Sequence, residues 1–138
     1  MAKSAGYSGT PLAGKLGIKE GMVVTTVGAP KNYDALLAPI PAGVKITPRA
    51  STSPAFVHVF TSSRAKLAEQ LASLRSRIPA DGTVWVSWPK KSSGVATDIT
   101  EDVIRAVALP MGFVDIKVCA VDDTWSGLKL VIRKELRR

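Results

Sequence analysis

Phe56-Val57-His58-Val59-Phe60 and Thr83-Val84-Trp85-Val86-Ser87-Trp88 decide the fold. Each run is apolar on both faces, which is how a central parallel strand reads when helices cover both sides of its sheet. Between them the period changes. Leu67, Leu71, Leu74 and Ile78 recur at helical spacing, while Arg64, Lys66, Glu69, Gln70, Ser73, Arg75 and Arg77 fill the other positions. Residues 64–77 therefore form an amphipathic helix, capped by Ser62 or Ser63, and strand, helix, strand is the right-handed crossover of a parallel sheet.

Upstream, residues 1–9 are small, polar and glycine-containing and read as a flexible leader to a single α/β domain over 10–138. Thr10-Pro11 opens a short helix that Gly17 ends, with proline at the first helical position. Met22 to Val27 is the first strand, closed by Gly28-Ala29-Pro30. Asn32 to Leu37 makes one or two helical turns, Val44 to Thr47 a short strand, and residues 48–54 a loop.

Downstream, Asp98 and Glu101 have capping-box spacing ahead of a helix whose stripe is Val103, Ile104, Val107, Ala108 and Met111. Val114, Ile116, Val118 and Ala120, then Leu128, Leu130 and Ile132, alternate with more polar neighbours across the connection 122–127, the pattern of a closing hairpin. The expected architecture is a three-layer, Rossmann-like open α/β sheet, mostly parallel, that ends in an antiparallel hairpin.

The composition, 46% hydrophobic and 22% charged over 138 residues, is that of an ordinary globular chain with one core. No apolar stretch approaches the ~20 residues that span a bilayer, and residues 1–6 lack the apolar core of a secretory signal, so the expected location is the cytoplasm, with no membrane contact. Cys119, the single cysteine, reads as a small buried hydrophobe within Val114 to Val121. His58, the single histidine, reads as a hydrogen-bonded core residue. The two stand sixty-one residues apart and fit no metal-ligand spacing, so no metal is expected. A net charge of +8 favours anionic partners, but it is spread along the chain with no polybasic arm.

The order of elements over about residues 54–134 is similar to the second half of a class I S-adenosylmethionine methyltransferase. That resemblance implies a glycine-rich turn after the first strand and an acidic residue at the end of the second. Here those positions hold Gly28-Ala29-Pro30-Lys31-Asn32 and Thr47-Pro48-Arg49, and a third strand with its helix is absent between residues 48 and 54. The fold is thus a reduced methyltransferase-like one, with no cofactor expected. Gly6-Tyr7-Ser8-Gly9-Thr10-Pro11-Leu12, Val86-Ser87-Trp88-Pro89-Lys90-Lys91 and Val118 to Lys129 resemble a family of small bacterial proteins known as domain of unknown function 3052, a likeness that brings no reaction with it.

Ligands of open parallel sheets collect beyond the carboxyl ends of the strands. Three loops are expected there: one at Gly28, one at Ser62, Ser63 and Arg64, and one running from Ser87 and Trp88 through Lys90, Lys91 and Ser92. The third offers charge, hydroxyls and an aromatic face for an anionic ligand or a base. Trp125, in the hairpin connection, is a candidate interface anchor. No residue reads as catalytic. The sequence thus reads first as a non-catalytic, methyltransferase-like binding module for an anionic small molecule or a protein partner. A nucleic-acid-binding protein and a divergent S-adenosylmethionine-dependent methyltransferase are the alternatives, and the oligomeric state is open.

Overall fold

The computed structural model describes residues 10–137, so the expected leader lies outside the described residues. In chain order the elements are α1 (Leu12–Leu16), β1 (Val23–Val27), α2 (Tyr33–Leu37), β2 (Lys45–Thr47), β3 (Phe56–Phe60), α3 (Arg64–Arg75), β4 (Thr83–Pro89), α4 (Glu101–Ala108), β5 (Phe113–Ala120) and β6 (Trp125–Ile132). They form a six-stranded open sheet in the order β2-β1-β3-β4-β6-β5. β2, β1, β3 and β4 run parallel, and β4 to β6 and β6 to β5 are antiparallel. The two apolar runs that decide the fold lie side by side in the same direction, with Val57 opposite Val84 and Val59 opposite Val86. Residues 48–55 carry no strand or helix.

Because β3 and β4 are buried on both faces, the sheet has a core on each side. Val57, Val59, Val84, Val86 and Trp88 face Leu67, Leu71 and Leu74 of α3 and Ile104 and Ala108 of α4. Phe56, Phe60 and Trp85 face Ala13 and Leu16 of α1 and Tyr33 and Leu37 of α2. The helical stripe at Leu67, Leu71, Leu74 and Ile78 is buried as its spacing requires. α1 ends at Gly17, whose φ of 85° is the left-handed cap that glycine adopts at little cost.

Two expectations change. The cap of α4 is Thr100, whose hydroxyl accepts from Val103 N at 3.2 Å. Asp98 instead turns to α3 and accepts from Arg64 N at 2.7 Å, so its spacing from Glu101 is not a capping box. In the hairpin, Ile116 and Val118 are 55% and 48% exposed rather than covered. β5 is the edge strand, α4 covers little beyond its start at Phe113, and a register shift between Asp115 and Lys117 throws Ile116 outward. A bulge of this kind blunts an edge against pairing with another chain.

Candidate functional site

The carboxyl ends of β1 and β3 wall a crevice of about 470 Å3. Gly28 sits at φ +69°, and a Cβ there would lie 2.6 Å from the Phe60 carbonyl oxygen. The glycine therefore lets the exit of β1 lie against that of β3. Thr61 folds the next turn by accepting from Ser63 N, and Ser63 caps α3 by accepting from Lys66 N. Ser62, Lys66 and Gln70 line the crevice with no side-chain partner among the described residues. Trp125 closes the far side. Asp122 Oδ1 accepts from the backbone N–H of Thr124 and of Trp125, both at 2.8 Å, and this turn sets the indole edge-on against Phe60 with ring centres 5.1 Å apart.

The structure brings Gly28, Ser62, Ser63 and Trp125 to this one crevice and separates the rest of the expected set from it. Trp88 is only 8% exposed and packs into the core over α3 and α4, so little of its ring is open. Ser87 is fully buried and hydrogen-bonded to His58, away from the crevice lining. Lys90 N donates to Thr124 O, which ties the third loop to the hairpin connection. Lys91 opens a 3-10 turn with Ser92 and Ser93 and lines a second, smaller hollow of about 270 Å3 with Trp88, Thr97 and Glu101. The three loops share an edge of the sheet but not one pocket.

Arg64 is exposed, and its own amide is taken by Asp98. A protein carboxylate already occupies the start of α3, where the helix dipole and free N–H groups favour negative charge. Asp98→Ala is expected to cost about 1 kcal/mol, the usual worth of a cap, read as a lower urea midpoint at unchanged slope.

Beneath the crevice runs a buried chain of polar groups that the sequence alone does not assemble. Tyr33 Oη lies 2.8 Å from His58 Nδ1, and His58 Nε2 lies 2.7 Å from Ser87 Oγ. The imidazole stacks on Phe60 with ring centres 4.3 Å apart. Burial lowers the His58 pKa to about 3 and raises that of Tyr33, with the nearby Asp34 carboxylate adding to the rise. Both are neutral, and their role is to satisfy one another inside the core.

Cys119 is half-buried on the flank of β5. Burial pushes its thiol up, while Lys15 and Lys117 pull the other way. It lines a hollow of about 620 Å3 between α1 and β5, against the other face of the sheet from α3 and outside the crevice. Among the described residues no three His, Cys, Asp or Glu side chains gather as a metal site, and no helix is long and apolar enough to cross a membrane.

Besides Val27, Val59, Phe60 and Thr61 at the strand ends, Lys66 and Gln70 are the crevice residues the sequence did not single out. Lys66 and Gln70 stand four apart in the first two turns of α3, a spacing that puts both on one flank. That signal is present, but it is the same as for a solvated helix face.

The chain matches no known family model and no curated protein. Solved structures match its fold. A protein of Sulfolobus solfataricus assigned as a type 11 methyltransferase superposes with a TM-score of 0.60 at 12% identity, covering 92% of each chain. Magnesium protoporphyrin IX methyltransferase (ChlM) from Synechocystis, with bound S-adenosylmethionine, gives 0.58 at 12% identity over 88% of this chain and 74% of its own. A protein of Streptococcus thermophilus described as a hemolysin gives 0.58 at 14% identity over 97% and 69%. With β2-β1-β3-β4 parallel and β6-β5 antiparallel at the end, the chain has the methyltransferase-like fold.

Proposed function

We propose that this chain is a divergent S-adenosylmethionine-dependent methyltransferase whose ligand site is the crevice between the ends of β1 and β3. The observation that carries the reading is the coincidence of that crevice with the carboxyl edge of a fold shared with cofactor-binding methyltransferases. Its lining fits the parts of the cofactor. Lys66 suits the carboxylate, the unpaired Ser62 hydroxyl and Gln70 amide suit the ribose hydroxyls, and the Trp125 ring suits either the base or, through its face, the sulfonium. When bound, the cofactor supplies an electrophilic methyl group, and the chain's own part is to hold it and to exclude water.

One observation favours a second reading, the non-catalytic module for an anionic ligand: among the described residues Lys66 is the only charged side chain of the lining, and no carboxylate there meets a cation or accepts a proton. The likeness to domain of unknown function 3052 finds no matching family model and bears on neither reading.

Titration of stability separates them. S-adenosylmethionine at a hundred times its dissociation constant is expected to add about 2.7 kcal/mol, a rise in Tm on the order of 10 °C. Lys66→Ala is expected to weaken binding about tenfold, the ~1.4 kcal/mol that a charge-assisted contact commonly supplies. A shift with ADP but none with the cofactor or its demethylated product selects the binding module. No shift with any of them removes the crevice as a site.

A further inference from the structure

We propose that the amino edge of the sheet, opposite the crevice, binds the phosphate backbone of duplex nucleic acid. The distribution of charge leads there. At the carboxyl edge Lys31, Arg49, Arg64, Lys66, Lys90 and Lys91 stand among as many acids: Asp34, Asp98, Glu101, Asp102, Asp122 and Asp123. That edge is neutral overall, so the +8 of the chain is carried elsewhere.

A net +3 of it, five cations against two acids, gathers where α3 ends and β6 leaves the sheet, around the turn Leu109–Gly112. Arg75 Nε donates to Met111 O at 2.9 Å, and Arg133 Nη1 to Leu109 O at 3.0 Å. Arg137 Nε donates to Ile132 O at 2.7 Å, and Arg77 Nη2 to Ser51 O at 2.8 Å. Lys134 is exposed between Arg133 and Arg137, and the acids beside this turn are Asp81 and Glu135, the latter 3.5 Å from Arg133.

Each guanidinium spends one donor on a backbone carbonyl, Arg133 turns its Nε to Glu135 as well, and the remaining donors are kept for a partner. Anchoring of this kind fixes the side chain before binding, so less rotamer freedom is lost when a phosphate is engaged. No Phe, Tyr or Trp lies among residues 75–82, 109–112 or 133–137. These segments thus offer no platform for unstacked bases, and a sequence-independent contact with paired strands is the chemistry they suit.

Fluorescence anisotropy of the full chain with labelled mixed-sequence duplexes, one DNA and one RNA, tests this and tells the two sources apart. Binding is expected at ~50 mM salt and a steep loss by ~200 mM. Arg77→Gln/Lys134→Gln/Arg137→Gln is expected to weaken binding at least tenfold and to lower the salt slope by roughly 2 to 3, near 0.9 per phosphate contact. Lys90→Gln/Lys91→Gln, at the opposite edge, is expected to bind within twofold of the parent. Circular dichroism confirms folding, and Lys134→Glu alone, at an exposed position, repeats the test if the triple variant does not fold. Absence of binding to both duplexes at low salt overturns the proposal. So does binding to anionic vesicles or single strands in preference to duplexes, or an equal loss in the Lys90/Lys91 variant. None of these results bears on ligand binding in the crevice.

Discussion

Replacing Trp85 by alanine is expected to cost about 3–5 kcal/mol, a large part of the ~5–15 kcal/mol that holds a domain together. The indole is fully buried at the centre of the sheet, and its Nε1–H donates to Leu16 O at 2.9 Å. That carbonyl belongs to the last residue of α1, a helix of five residues, far too short to persist without packing. The ring also has a matched partner. A Cβ at Gly127 on β6 would lie 3.2 Å from Trp85 Cε3, so the neighbouring strand gives up a side chain where the indole passes. Trp85→Phe keeps most of the volume and removes the donor, leaving a buried carbonyl unpaired for about 1–3 kcal/mol. Urea unfolding of the two variants separates the terms, at unchanged slope if the native state stays compact. A loss below ~1 kcal/mol for alanine contradicts a core built around this residue.

Trp85 also shows why the fold was legible and the site only in part. A strand apolar on both faces has few places to go other than the middle of a parallel sheet, so β3, β4 and the helix between them follow from residues 56–88 with little help from the rest. The edges are less determined. Alternation at Ile116 and Val118 promises a covered face, and only the position of β5 at the rim, with a short α4, leaves that face in water. Site residues suffer the same ambiguity in reverse. Lys90 and Lys91 read as ligand-facing because loops at strand ends usually are, yet one backbone bond to Thr124 directs that loop away from the crevice. Ser87 and Trp88 sit on opposite faces of β4, and burial takes both, which a strand pattern shows only once the length of β4 to Pro89 is known. Asp98 reads as the cap of the nearer helix and serves the farther one, thirty-four residues upstream, a choice made by tertiary approach and not by spacing.

Between pH 7 and pH 5 the protein is expected to lose about 2 kcal/mol of stability through His58 alone. The chain has no other histidine, and ordinary carboxylates titrate mostly below that window. In the folded state burial holds the ring neutral down to about pH 3, against 6.5 in the open chain. Below pH 6.5 the unfolded chain therefore takes up a proton that the native state refuses, and each further unit removes about 1.4 kcal/mol. The contribution is fully present above pH 6.5, falls steadily with acid, and levels off only near the folded value, after a total of roughly 5 kcal/mol. Geometry explains why the ring resists. A neutral imidazole offers one donor and one acceptor, which match the hydroxyls of Tyr33 and Ser87, whereas a charged ring stacked on Phe60 meets no carboxylate in its contacts. His58→Gln is expected to be less stable at pH 7 and to lack this slope between pH 7 and 5. Urea midpoints across that interval read both effects, and a wild-type curve as flat as that of the variant means that the buried ring accepts the proton in place.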